Sequence, residues 1–251
     1  MCHHHGVPRR AALLLLACAA LHPPALRAQD AKPAKPVSLT FDLGFVNAAG
    51  NTRVTTLNGA EHLKVAPADS RWQFAEALST VYGRNEDSVT ADQLTAMARV
   101  DYTVVTRLHV FVGGTYQRDR FAGIGRRFEE IAGVALQLVS RPHDVLGTEL
   151  GAAVTQQRST AAVEDNFVAL RFAASYKHNL TDNAFVQQSV ELLPNVQEFK
   201  DLRINSETAL VAPIAKQIAL RLSYVVRFDN VPEPGFLKTD RVLSSGVQIA
   251  L

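Results

Sequence analysis

Residues Ile218–Asp229 alternate in strict two-residue register. One face carries Ile218, Leu220, Leu222, Tyr224, Val226 and Phe228, and the other Ala219, Arg221, Ser223, Val225, Arg227 and Asp229. The pattern recurs where Val168, Leu170, Phe172, Ala174 and Tyr176 oppose Ala169, Arg171, Ala173, Ser175 and Lys177. It recurs again where Leu94, Ala96, Ala98, Val100 and Tyr102 oppose Gln93, Thr95, Met97, Arg99 and Asp101. A period of two is the signature of a half-buried strand. Strands of soluble proteins average about five or six residues, whereas a tilted membrane-crossing strand needs about 9–11. The length of these segments therefore points to a transmembrane sheet. In lipid every backbone amide must find an internal partner, so such a sheet has to close on itself. A soluble barrel or sandwich would expose these apolar stripes to water.

Counted in this way, the sequence predicts twelve strands at 37–47, 52–65, 71–82, 89–102, 108–119, 128–139, 145–157, 166–178, 184–193, 202–212, 218–229 and 241–251. Gly59, Glu76 and Gln188 interrupt the faces of the second, third and ninth. The fold class expected is all-β, a closed antiparallel transmembrane β-barrel. Its even strand number leaves both termini periplasmic. Connections at 103–107, 140–144, 179–183 and 213–217 are tight, and those at 120–127, 159–165, 194–201 and 230–240 are longer, as periplasmic turns and external loops differ. Tyr102 and Tyr176 fall near the short-turn end and Tyr82, Tyr116 and Phe228 near the other, where aromatic girdles belong. The register places Leu222 against lipid and Ser223 in the lumen, so Ser223→Arg is expected to cost far less than Leu222→Arg.

The N-terminus reads differently. Arg9 and Arg10 precede an apolar run, Ala11–Leu21, and Pro23-Pro24 opens a stretch reaching Ala28, the layout of a cleaved secretory signal peptide over residues 1–28. Residues 29–36 form a polar, Pro-punctuated periplasmic tether, and 37–251 the barrel. The whole chain has 26 basic and 24 acidic residues; without Arg9, Arg10 and Arg27 the balance is 23 against 24. No basic field is left to bind nucleic acid. Both cysteines, Cys2 and Cys18, leave with the signal, so no disulfide is expected. His3–His5 sits in the same segment and reads as an oddity of its start rather than a metal site.

No phosphate loop, paired-cysteine metal motif or Gly-x-Ser-x-Gly elbow occurs, and no cofactor or metal is expected. His62, His109, His143 and His178 are isolated, with no convincing Ser or acid partner in the register. An outer-membrane lipid hydrolase stays an alternative class, and a non-enzymatic barrel is the favoured one. The inward set is more informative: Arg99, Asp101, Glu149, Arg171, Lys177, Glu191, Arg203, Glu207, Arg221, Arg227 and Asp229. These charges either line a narrow conduit for ions and small solutes or pair into a filled polar core. A second cluster, Arg118, Arg120, Arg126 and Arg127 beside Asp119, Glu129 and Glu130, is expected in an extracellular loop. There it would clamp lipopolysaccharide phosphates or fold over the barrel mouth through Arg–Asp pairs. The partners expected are outer-membrane lipids, lipopolysaccharide and, during biogenesis, the barrel-assembly machinery, with the oligomeric state left open.

Four stretches carry a resemblance: Gly44-Phe45-Val46-Asn47 through Gly50-Asn51-Thr52, Tyr82-Gly83-Arg84-Asn85, Asp119-Arg120-Phe121 through Gly123-Ile124 to Arg126-Arg127, and Pro232-Glu233-Pro234-Gly235 leading to Lys238-Thr239-Asp240. In this order the chain resembles the YdiY-like salt-induced outer-membrane proteins, the family of domain of unknown function 481. The resemblance implies an outer-membrane barrel of a Gram-negative bacterium, with salt present in the family's name only, and brings no catalytic residues. One departure is the last residue, Leu251, where such barrels usually end in an aromatic.

Overall fold

The computed structural model describes residues 36–48, 54–86 and 88–250. The expected signal segment and most of the tether lie outside the described residues, as does the connection after the first strand.

Twelve strands form one antiparallel sheet: β1 (Val37–Ala48), β2 (Val54–Val65), β3 (Trp72–Asn85), β4 (Ser88–Val105), β5 (Leu108–Asp119), β6 (Ile124–Ser140), β7 (Asp144–Ser159), β8 (Glu164–Asn179), β9 (Phe185–Pro194), β10 (Leu202–Ala215), β11 (Ile218–Asp229) and β12 (Thr239–Ala250). Each pairs with its neighbours in sequence, and β12 returns to β1, so the sheet is a closed barrel. The closing seam runs from Thr40 opposite Ala250 to Leu43 opposite Val247. It is much shorter than the β1–β2 ladder, which extends from Val37 opposite Val65 to Ala48 opposite Val54.

The expected strand centres hold, but several strands are longer than their apolar stretches. β4 gains residues at both ends, and β6 starts at Ile124 instead of residue 128. The ladder needs only backbone amides and carbonyls, so it continues through polar residues past the end of the apolar stripe. Two of the expected long loops shrink accordingly: Arg120–Gly123 and Thr160–Val163 are all that join β5 to β6 and β7 to β8. The loops Asn195–Asp201 and Asn230–Lys238 remain long, and the turns after β4 and β10 have only two residues each, Thr106–Arg107 and Lys216–Gln217.

Alternation in burial follows the alternation in sequence. Leu220, Leu222 and Tyr224 of β11 are exposed on the outer wall, as are Leu150 and Val154 of β7 and Leu170 and Phe172 of β8. Aromatic rings meet near both rims. Trp72 and Tyr102 lie 4.8 Å apart at the short-turn end, and Tyr116 and Phe128 4.9 Å apart at the other. The interruptions noted in the sequence are accommodated in different ways. Gln188, on the outward parity of β9, donates from its amide nitrogen to Ser206 Oγ and accepts from Thr208 Oγ1, so a polar patch satisfies itself laterally. Glu76 stands exposed on the outward parity of β3 beside Leu78.

The interior is asymmetric. Between β6 and β9 the lumen is packed by Ala153, Ala169 and Leu193, all essentially without solvent exposure, with Ile131 against them. Phe167, Ala209 and Val211 extend this apolar filling toward β10. The opposite wall, from β10 through β12 and β1 to β4, carries polar side chains around open space.

Candidate functional site

The inward charges assemble into three groups. The first crosses the lumen from β4 to β9. Asp101 and Arg99 pair at 2.7 Å, Arg99 reaches Glu149 at 2.8 Å, Glu149 holds Arg171 at 2.5 Å, and Arg171 donates from Nε to Glu191 at 2.6 Å. Asn205 Nδ2 donates to the free oxygen of Glu191. Between β4 and β7 lie β5 and β6, and the Arg99–Glu149 contact bridges both. It does so over the ring of Phe111, whose centroid is 3.9 Å from the Arg99 guanidinium carbon and 5.5 Å from that of Arg171. Cations over an aromatic face are attracted by its quadrupole. Room for this ring comes from Gly133 of β6, where a Cβ would strike the Leu150 carbonyl oxygen and approach Phe111 Cζ within 2.9 Å.

The second group lies nearer the long-loop end. Arg203 pairs with Glu129 at 2.9 Å and donates to Thr155 Oγ1, which itself donates to Glu129. The guanidinium also covers Phe167. The third group stands on the opposite wall, where Arg221 pairs with Glu207 at 2.7 Å and faces Asp42 at 3.8 Å. Ser223 Oγ donates to Glu207 at 2.6 Å, and His62 lies 3.8 Å from Asp42. Of the remaining inward candidates, Arg227 faces Asp119 and Asp240 near the mouth. Asp229 Oδ1 accepts from the Val231 amide. Lys177 covers the Phe185 ring at the short-turn end.

Two cavities flank the first group. One of about 650 Å³ fills the half toward the long loops, bounded by Asp42, Gln93, Thr95, Arg227 and Lys238 among others. The second, of about 630 Å³, lies toward the short turns among Lys64, Gln73, Asp101, Thr103, His109 and Gln137. Arg99 belongs to the walls of both, so the Asp101–Arg99–Glu149 pairing forms the waist between them. Around the larger cavity stand seven Arg or Lys side chains and eight carboxylates, so neither sign dominates.

The basic loop of the sequence reading is corrected. Arg118 lies within the last residues of β5, and Arg126 and Arg127 within the first residues of β6; only Arg120 sits in a turn, a short 3-10 segment at Arg120–Ala122. Strand parity then divides them. Arg118 and Arg120 converge on Asp92 at 3.0 and 3.4 Å, and Arg126 lies 3.6 Å from Glu164. Arg127 turns inward, where it donates to Gln157 at 2.6 Å and Gln117 at 3.4 Å. Gln157 in turn donates to Glu233, at 2.7 Å, from the β11–β12 loop on the far side of the mouth. That loop is thus a strap across the mouth. Its seat is Gly123, whose φ of 76° and lack of a Cβ admit Glu233 and the Phe236 ring. Gly123→Val is expected to unseat the strap and speed chymotryptic cleavage at Phe236 while the barrel stays folded. An unchanged cleavage rate would show that the seat does not hold it.

Sequence reasoning missed several of these residues. Asp42, Thr155 and Phe111 have inward parity, and that signal alone was enough to nominate them; Glu129, expected in the basic loop, has the same parity and pairs with Arg203 in the lumen. Two histidines do have acid partners, unlike the sequence reading, His62 near Asp42 and His178 Nδ1 2.9 Å from Asp144, while His109 Nδ1 lies 3.0 Å from Thr103 Oγ1 and His143 Nδ1 3.3 Å from the Asn179 carbonyl. The two acid contacts join strands across the sheet and leave no fixed spacing in the chain.

The family model described as "Protein of unknown function, DUF481" matches residues 41–250. The chain belongs to this family. A relative in Escherichia coli (strain K12), described as the uncharacterized protein YdiY, is 23% identical over 198 residues, spanning 79% of this chain and 76% of its own length. Among solved structures, the NanC porin in a rhombohedral crystal form is similar with a TM-score of 0.47 and 9% identity, over 84% of this chain and 97% of that one. The translocator domain of the autotransporter NalP from Neisseria meningitidis is similar with a TM-score of 0.40 and 14% identity, over 85% and 86%.

Proposed function

We propose that this DUF481 chain is an integral outer-membrane barrel, carrying no catalytic centre, whose lumen is a narrow conduit for small solutes and ions with its waist at Arg99. The membrane part of this reading rests on the outer wall, where large apolar side chains such as Leu150, Leu170, Leu220 and Leu222 stand exposed at 40–54%. In water such a belt would drive aggregation; in lipid it is the expected surface. Secretion by the segment 1–28 supplies the route. Boiled and unboiled samples should migrate differently on a gel, and the protein should fractionate with the outer membrane. A folded soluble periplasmic pool would overturn this part.

The single observation that carries the conduit is the pair of cavities sharing Arg99. A filled core has no use for open space on both sides of an ion cluster. Arg99→Ser removes the side chain that separates them, and Glu149 keeps Arg171 as a partner. Reconstituted in a planar bilayer, the native barrel should show small conductance steps and the variant larger ones. Equal conductance would remove Arg99 from the path, and none in either would favour the structural barrel.

Two other readings have less support. Arg118 and Arg120 are committed to Asp92, which favours a self-capped mouth over a lipopolysaccharide clamp. The hydroxyl–histidine contact of Thr103 and His109 faces the lumen, away from the lipid a surface hydrolase would need.

A further inference from the structure

Ion pairing uses up most of the charge around the larger cavity, yet some hydrogen-bonding groups on its β1–β4 wall find no protein partner. Gln93 Nε2 and Thr95 Oγ1 have none, and Asp42 Oδ1 has only the Gln248 side chain nearby. Gln93 is only 8% exposed, and the Asp42 side chain 13%. A buried polar group left unmade is costly, and where it borders a cavity a small turn of its side chain lets a polar molecule there pair it. Their chemistry is mixed. The Asp42 carboxylate oxygen only accepts, the Gln93 amide nitrogen only donates, and the Thr95 hydroxyl does either. A carboxylate ligand would serve Gln93 and repel Asp42; an ammonium would do the reverse. A hydroxyl donates and accepts, and several on one small skeleton serve all three. The volume of about 650 Å³ lies within the range of about 300–1,000 Å³ for small-molecule sites. Met97 and Val81 on the same wall offer apolar surface for C–H faces.

From this wall we infer that the extracellular half of the lumen is a selectivity site for small uncharged polyhydroxylated solutes of the sugar class, received by Gln93, Thr95 and Asp42. The inference rests on the conduit reading and names its cargo. Because the ion pairs are mutually compensated, neither anions nor cations gain a net attraction there, and hydrogen bonding decides.

The test is swelling of liposomes carrying the reconstituted full barrel, with glucose, gluconate and glucosamine as probes of similar size, alongside KCl conductance in a planar bilayer. Glucose should enter faster than both charged probes. The double variant Gln93→Leu, Thr95→Val removes two hydrogen bonds to the sugar and should slow glucose about tenfold. The KCl current should stay within about twofold, since the charged groups are untouched. Heat-modifiable mobility confirms that the variant is folded. Gluconate or glucosamine entering as fast as glucose, or glucose entry unchanged in the variant, would overturn the sugar site while the KCl current upholds the conduit. Absence of both swelling and current would take the conduit reading down first.

Discussion

Arg171→Met is expected to be the most damaging single change in the lumen, lowering stability by about 3–5 kcal/mol. Its guanidinium, 10% exposed, stands between Glu149 at 2.5 Å and Glu191 at 2.6 Å, so its loss leaves two carboxylates facing each other with one cation fewer between them. Glu149 retains Arg99, whereas Glu191 keeps only the amide of Asn205. Adding Glu191→Gln to Arg171→Met should therefore recover much of the loss. Urea unfolding of the barrel in lipid vesicles measures both. A single variant within about 1 kcal/mol of the native chain would mean that water already screens the cluster, as for an exposed surface pair.

Leu222→Arg should cost about 2–4 kcal/mol, because it puts a charge on the lipid side near the middle of β11. Leu222 is 45% exposed on the outer wall, close to the centre of the strand Ile218–Asp229. The neighbouring position is a poor control, against the expectation from parity alone. Ser223 does face inward, but it is only 5% exposed and its hydroxyl is bound to Glu207, so an arginine there has little room. Ser244, its partner across the β11–β12 ladder, borders the larger cavity and is the better comparison. Ser244→Arg is expected to unfold at nearly the native urea concentration. Equal damage at positions 222 and 244 would contradict the assignment of faces.

The faces were legible because a barrel in lipid imposes one rule on every strand: the residue class changes at each step. That rule puts Leu220 and Leu222 outside and Arg221 inside without knowledge of any contact. Strand ends were less legible, since backbone pairing carries β6 up to Ile124 through Arg126 and Arg127, which look like loop when read by polarity. The pairing of charges was not legible at all. Arg99 and Glu149 lie three strands apart around the barrel, and the Gly133–Phe111 packing that lets them meet belongs to the two strands between. Neutral inward residues were passed over for a similar reason. Parity puts Gln93 and Thr95 on the inward face, but which inward polar atoms end without a protein partner depends on packing around the barrel that no local pattern in the chain records.

The central claim is an apolar wall in lipid around a water-filled lumen, and thiol labelling tests it most directly. In a background with Cys2 and Cys18 changed to Ser, single cysteines are placed at Ser175 and Ser244, which border the larger cavity, and at Leu170 and Leu222 on the outer wall. The folded barrel in lipid vesicles is then treated with a water-soluble, membrane-impermeant methanethiosulfonate. Ser175→Cys and Ser244→Cys should react readily, while Leu170→Cys and Leu222→Cys should stay protected until the vesicles are dissolved and the chain unfolded. Rapid labelling at 170 and 222, with 175 and 244 protected, would contradict the account.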